Sequence, residues 1–191
     1  MEYESRTRRF TRAEYDRLIE LGVFQPDEDI ELIGGELIVA EPQGAPHYTA
    51  IRKTAKALEA AFGPGWDVRM EGPIGLDDES EPEPDVAVVP GSLDDYAREH
   101  PSRPVLTVEI AESSLALDRR HKGSLYARAG LADYWILNLV DRVLEVYRDP
   151  SPDPSALFDW RYGSVTTLTP PAFVIPLAFA SSRIAVADLL P

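Results

Sequence analysis

Helical and strand patterns of hydrophobic residues alternate along this chain. Thr11 and Glu14 form a Thr-x-x-Glu capping box, which predicts a helix that starts at Thr11 and ends near Gly22. Apolar residues recur at helical spacing over 47–62 and again over 118–129, which predicts two further amphipathic helices. Each of these helices needs another element against which its apolar face can pack.

Two short apolar runs flank Gly34-Gly35 and predict a β-hairpin. In the register set by a two-residue turn, Ile33 pairs with Glu36 and Glu31 pairs with Ile38, so both glutamates share one face. The opposite face is wholly apolar. The simplest interpretation is that the glutamate face meets solvent, as one side of an antiparallel ribbon commonly does.

Further strand patterns lie at 66–70, 74–76, 85–89, 105–111, 134–137 and 143–147, and we expect the tail to add short strands and a terminal turn. The 105–111 run is almost continuously apolar, as in a strand buried on both faces, and Glu109 is the exception. A buried carboxylate is costly unless a cation or hydrogen bonds stabilise it. The order of elements predicts an α/β domain with a mixed sheet (α+β), spanning residues 1–191 as one unit.

The composition excludes several kinds of chemistry. The chain contains no cysteine, so disulfides, thiolate nucleophiles and cysteine-bound metals are excluded. No two of its three histidines have the i, i+4 spacing of a helical metal site, so carboxylates would dominate any metal site and favour Mg²⁺, Mn²⁺ or Ca²⁺. There is no glycine-rich phosphate loop. With no apolar run of about 20 residues and a polar start, we expect a cytoplasmic protein.

The net charge of −14 at first argues against a nucleic-acid partner, since phosphate binding needs basic side chains. Residues 71–99, however, carry ten acidic side chains and one basic side chain, so most of the excess lies in one stretch. The common interpretation of such a stretch is a solvated loop. If the partner is DNA, the charge predicts either a dimer that forms a basic cleft or weak binding that needs another component.

Three residues could together perform hydrolysis. Asp85 opens one predicted strand, Glu109 lies near the end of another, and Lys122 shares a helix face with Asp118 and Tyr126. Two carboxylates on neighbouring strands can bind a divalent cation, and a nearby ammonium can orient water or stabilise charge on a phosphodiester. Each residue also has a structural interpretation, Asp85 as a turn residue, Glu109 as part of an internal ion pair, and Lys122 as a surface partner of Asp118.

The order of these segments along the chain is also informative. The segments are Glu31 to Leu37, His47 at a helix start, Pro84-Asp85-Val86, Val108-Glu109-Ile110 with Ser113-Ser114, Asp118 to Lys122, 125–130, and Tyr134-Trp135. This succession resembles the Uma-two-type putative endonuclease family over roughly residues 15–147. The resemblance implies the PD-(D/E)XK superfamily and a restriction-endonuclease-like core, with a central mixed sheet flanked by helices.

The resemblance also implies roles. Asp85 and Glu109 would bind Mg²⁺ or Mn²⁺, Lys122 would assist the attacking water, and Glu36 would add an acidic group. In the superfamily's usual pattern the lysine lies two residues after the glutamate, but Ala111 stands there in this chain. The resemblance to the family implies that the lysine comes from the following helix, where Lys122 is the candidate. The candidates for substrate contact are His47, Arg119, Arg120 and Tyr126, with Arg128 as a further phosphate contact. The predicted protein is a metal-dependent DNA endonuclease that acts as a homodimer.

Two other functions remain open. A catalytically inactive member of the fold could serve as a protein interaction module through its acidic stretch. Paired carboxylates could also act on a sugar, although the sequence does not indicate the aromatic-lined cleft that such substrates need. Stabilisation by Mn²⁺ would separate the first alternative from a metal-dependent enzyme.

Overall fold

The computed structural model describes residues 7–25, 28–40 and 43–191. Helix α1 (Arg12–Glu20) begins directly after Thr11, and the capping box is present. The Thr11 hydroxyl accepts a hydrogen bond from the Glu14 backbone N–H, and the Glu14 carboxylate accepts one from the Thr11 N–H. The predicted helix start is confirmed.

Strands β1 (Ile30–Ile33) and β2 (Glu36–Val39) form the hairpin in the predicted register. All four residues of β1 are buried, because the chain near residue 80 runs beside it and the Glu81 N–H donates to the Leu32 carbonyl. The expectation that both glutamates meet solvent is therefore wrong for Glu31, which is buried, and correct for Glu36, which is exposed.

A six-stranded sheet lies at the centre, in the order β3-β4-β5-β6-β7-β8. The strands are β3 (Trp66–Met70), β4 (Val86–Pro90), β5 (Leu106–Ala111), β6 (Asp133–Asn138), β7 (Val143–Pro152) and β8 (Trp160–Leu168). Strands β5 and β6 are parallel, and the other neighbours are antiparallel. The predicted α/β class with a mixed sheet is confirmed. The expected strand at 74–76 is absent from this sheet, because the N–H groups of Ile74 and Leu76 bond to loop carbonyls at 82 and 80.

Helix α2 (Ala45–Phe62) covers one face of the sheet. Its buried side chains, including Ile51, Leu58 and Phe62, pack with apolar residues of β4, β5, β6 and β7 in the largest hydrophobic cluster. The tail closes over the same cluster through β9 (Phe173–Val174), β10 (Ile184–Ala185) and α5 (Val186–Leu189). Within the described residues, no helix combines the length and apolar character required to cross a membrane.

The connection from β5 to β6 is a helix with an irregular middle. It starts as α3 (Leu115–Leu117), continues as the π-helical turn Asp118–Lys122, and ends as α4 (Gly123–Arg128). The Gly123 N–H donates to the Asp118 carbonyl, five residues earlier, which is the wider turn of a π-helix. This turn sets the direction in which Asp118 and Lys122 point relative to the sheet.

Candidate active site

Asp85 and Glu109 face each other at one end of the β4–β5 pair. Val86 of β4 pairs with Val108 of β5 in the antiparallel ladder. The next position of the ladder therefore places Asp85, which precedes β4, opposite Glu109 of β5. The Asp85 Oδ2 atom accepts a hydrogen bond from the Ile110 N–H at 2.6 Å. Both carboxylates are buried, with 8% and 2% of the residue exposed. The fold thus brings the two predicted metal ligands together.

Lys122 reaches this pair from the π-helical turn. Its Nζ atom donates to Glu109 Oε2 at 3.1 Å and to Glu31 Oε1 at 3.0 Å, and only 4% of the residue is exposed. Burial alone would lower the pKa of Lys122, but the charges of Glu109 and Glu31 raise it well above its usual value. The lysine is therefore a charged ammonium held between two carboxylates.

Glu31 is the site residue that sequence reasoning missed. Besides the contact with Lys122, its Oε2 atom accepts a hydrogen bond from the Glu83 N–H at 3.0 Å. A usable signal was present, since Glu31 is a lone acid within the apolar run Ile30 to Ile33, the same anomaly that singled out Glu109. Hairpin alternation shows which residues share a face, but it does not show which face another segment will cover.

Tyr126 and His47 each contact one of the two carboxylates. The Tyr126 hydroxyl donates to Glu109 Oε1 at 2.7 Å, and the tyrosine is fully buried, so the structure places it behind Glu109 and out of reach of a substrate. His47, in the first turn of α2, has its Nε2 atom 2.9 Å from Asp85 Oδ1. Burial alone would lower the pKa of His47, but the hydrogen bond and charge of Asp85 raise it above its usual value.

Asp85, Glu109 and Lys122, together with Glu31 and His47, line a cleft of about 270 Å³ with a strong excess of carboxylates. Its ionisable lining consists of Asp29, Glu31, His47, Glu71, Glu83, Asp85, Glu109, Glu112, Asp118 and Lys122. Burial, together with the charges of Asp29 and Glu31, raises the pKa of Glu83 to about 7. Burial raises the pKa of Asp118 to about 6 against the opposing charge of Lys122, and it raises the pKa of Glu109 well above its usual value. The cleft would accommodate an additional cation favourably.

The donor chemistry fits a hard divalent cation. Among the described residues, no three or more histidine and acidic side chains form a ready-made metal cluster. Mg²⁺, however, is commonly bound through one or two carboxylates, with waters and substrate phosphates completing its shell. Asp85 and Glu109 meet that minimum, because each carboxylate oxygen can accept more than the one hydrogen bond it receives here.

Besides Tyr126, four predicted residues lie outside this cleft. Glu36 is exposed at the start of β2, opposite Ile33 and away from the cleft lining. Arg119 forms a two-pronged pair with Glu145, with Nε and Oε2 3.0 Å apart, so its charge is already engaged. Arg120 is exposed in a separate groove beside Arg119, where it forms no ion pair with any described carboxylate. Arg128, the further phosphate candidate, bonds to Asp77.

Comparisons with known proteins show a family and a shared fold. A family model described as "Uma2: Putative restriction endonuclease" matches residues 12–187, a span that contains every residue of the cleft. A crystal structure of a putative nuclease belonging to DUF820 from Anabaena variabilis ATCC 29413 superimposes with a TM-score of 0.66. The identity is 20%, and the match covers 89% of this chain and 94% of that chain, so it shows a shared fold. No curated protein sequence matched.

Proposed function

This chain belongs to the Uma2 family of putative restriction endonucleases, and we propose that it is a metal-dependent endonuclease that hydrolyses phosphodiester bonds in DNA. Family membership supports a nuclease function in general. The observation that carries the finer proposal is the convergence of Asp85, Glu109 and Lys122 in one acidic cleft.

The carboxylates of Asp85 and Glu109 would hold Mg²⁺ or Mn²⁺. When bound, such a cation acidifies a coordinated water and offsets negative charge on the phosphoryl oxygens. Lys122 has three N–H donors, and two of them point to Glu31 and Glu109. The third can donate to a water or a phosphate oxygen in the cleft, where a fixed ammonium stabilises developing negative charge.

The surrounding residues keep this arrangement in place. Glu31 accepts a hydrogen bond from Lys122 and Tyr126 donates one to Glu109, while His47 together with the Ile110 N–H fixes the orientation of Asp85. Since Glu31 and Tyr126 are buried, His47 is half-buried and all three lie in helices or strands, the reacting groups would need little rearrangement before catalysis. The excess of carboxylates also repels a phosphodiester, which supports dependence on a divalent cation.

The test is cleavage of supercoiled and linear DNA with Mg²⁺ or Mn²⁺, comparing the wild type with Asp85→Asn, Glu109→Gln and Glu36→Gln. We expect the first two variants to fall to the metal-free background and Glu36→Gln to cleave normally, because Glu36 lies outside the cleft. Equal cleavage by all four proteins would identify a contaminant. Absence of cleavage together with no Mn²⁺ effect on the thermal midpoint would favour the inactive interaction module instead.

We also propose that the active form is a homodimer. Strand β8 ends the six-stranded sheet, and an edge strand presents unpaired backbone groups that a second copy can bind. Multi-angle light scattering at micromolar concentration tests this, and a monomeric mass under conditions that support cleavage would refute it.

A further inference from the structure

A groove on the exposed side of α2 collects basic side chains. It is lined by Thr49, Arg52, Lys53, Ala55, Lys56 and Glu59 of α2 and by Met70 of β3, and it encloses about 430 Å³. Two of the three lysines in the chain lie here, in a protein whose net charge is −14. The basic character of this groove is therefore a local departure from the charge of the whole molecule.

The cations in this groove are available to a ligand. Arg52 and Lys56 are exposed, and neither forms an ion pair with a carboxylate in the described part of the chain. Lys53 is also exposed, and its Nζ atom donates to the Leu190 carbonyl at 2.5 Å, a contact that leaves its charge unpaired. Arg119 and Arg128 differ in this respect, because carboxylates already neutralise them.

The groove and the acidic cleft are lined by neighbouring residues of the same two elements. On α2, His47 lines the cleft and Thr49, two residues later, lines the groove. At the end of β3, Met70 lines the groove and the next residue, Glu71, lines the cleft. With 3.6 residues per turn, the groove residues of α2 lie roughly one to three turns further along the helix than His47. Arg52 and Lys56 are at i, i+4, so their Cβ atoms lie about 6 Å apart. This separation is comparable to the spacing of neighbouring phosphates along a DNA strand.

We propose that this groove binds the phosphate backbone of double-stranded DNA beside the bond that is cleaved. The proposal rests on the function proposed above and names a substrate-binding surface for it. Contacts of arginine and lysine with phosphates position a duplex without reading its sequence. In this protein they would also offset the repulsion between DNA and the acidic cleft, a task that the paired Arg119 cannot perform.

Binding of a fluorescein-labelled duplex, followed by anisotropy in EDTA and in Ca²⁺ over a range of KCl concentrations, tests the proposal. The variant is Arg52→Ala/Lys56→Ala. Its matched control is Arg98→Ala/Arg103→Ala, which also removes two exposed cations, from the connection between β4 and β5. Because all four side chains are exposed, both variants should keep the wild-type thermal midpoint, and the conservative swap Arg52→Lys/Lys56→Arg should bind normally.

We expect Arg52→Ala/Lys56→Ala to bind the duplex at least tenfold more weakly at low salt. Loss of two phosphate contacts should reduce the slope of log K against log salt by about 1.8. The control should lose less than twofold and keep its slope. Equal weakening of both double variants would show a general effect of net charge and overturn the proposal, as would no DNA binding by the wild-type protein.

Cleavage assays separate this proposal from the nuclease itself. If wild-type protein cleaves DNA and Arg52→Ala/Lys56→Ala cleaves with unchanged KM and salt dependence, the groove assignment is wrong and the nuclease stands. If no metal supports cleavage but the groove variant alone loses DNA binding, the surface is correct and the catalytic proposal is wrong.

Discussion

Replacement of Lys122 by methionine should destabilise the protein strongly. The ammonium lies 3.0 Å from Glu31 and 3.1 Å from Glu109, and all three groups are buried. With an effective dielectric constant of about 20, each of these contacts corresponds to about 5 kcal/mol of Coulomb attraction before the desolvation of the charges is subtracted. Methionine retains much of the side-chain volume but leaves two buried carboxylates facing each other.

Breaking a buried ion pair by removing one partner typically costs about 3 to 5 kcal/mol. We expect Lys122→Met to lose that much free energy of unfolding at pH 7, measured by urea denaturation. For a chain of this length, such a loss lowers the thermal midpoint by roughly 6 to 20 °C. The matched control is Arg17→Met, because Arg17 pairs with Glu20 at 2.8 Å but its side chain is 64% exposed. That variant should change stability by about 0.5 kcal/mol or less.

A double-mutant cycle isolates the contact between Lys122 and Glu31. Glu31→Gln/Lys122→Met should be more stable than the sum of the two single losses predicts, by about 1 to 3 kcal/mol. The reason is that Glu31→Gln removes a carboxylate that Lys122→Met leaves unpaired. A loss below about 1 kcal/mol for Lys122→Met, or additive losses in the cycle, would show that the ammonium does not lie between the carboxylates.

Three further outcomes follow from buried contacts. Tyr126→Phe removes the hydroxyl that donates to Glu109 and should cost about 1 to 3 kcal/mol in urea denaturation. Leu58→Ala opens a cavity in the α2–sheet cluster and should cost about 2 to 5 kcal/mol, so a loss below 1 kcal/mol would mean that α2 does not pack there. Burial alone would raise the pKa of Glu145, but hydrogen bonds from Arg119 and two other side chains lower it. The ionised carboxylate therefore stabilises the fold at pH values above its unfolded pKa of about 4.3, and this stabilisation decreases as the pH falls further. The stability gap between the wild type and Glu145→Gln should therefore be wide at pH 7 and narrow in thermal scans near pH 3, and a pH-independent gap would contradict this assignment.

Local rules predicted the elements that depend on neighbouring residues. The Gly34-Gly35 turn defined the hairpin register, because a two-residue loop leaves only one pairing that keeps the apolar residues on one face. The lone acid in the 105–111 run identified Glu109 as a buried carboxylate that needs a partner, and the helix that follows provides Lys122 and Tyr126. These features are encoded within short stretches of chain.

Features that depend on distant segments were not predictable in the same way. Glu31 is buried because a segment some fifty residues later in the chain packs on the hairpin and donates its Glu83 N–H to the carboxylate. The same packing means that the acidic stretch 71–99 is only partly the solvated loop that its charge predicted, since Glu81 and Asp85 within it are buried. Arg119 was predicted to contact phosphate, but the folded sheet places Glu145 beside it and the two side chains pair.

The π-helical turn accommodates one residue more than an α-helical turn would at this point of the connection between β5 and β6. Deleting the exposed Arg120 would let this turn close into α geometry while the elements on either side keep their orientation. Lys122 would then follow Asp118 by three residues instead of four, and the two side chains would still share a helix face. Loss of one residue from the π-helical turn therefore leaves the ammonium near its carboxylates, whereas the same loss within the regular helix α4 would rotate the residues that follow it by about 100°.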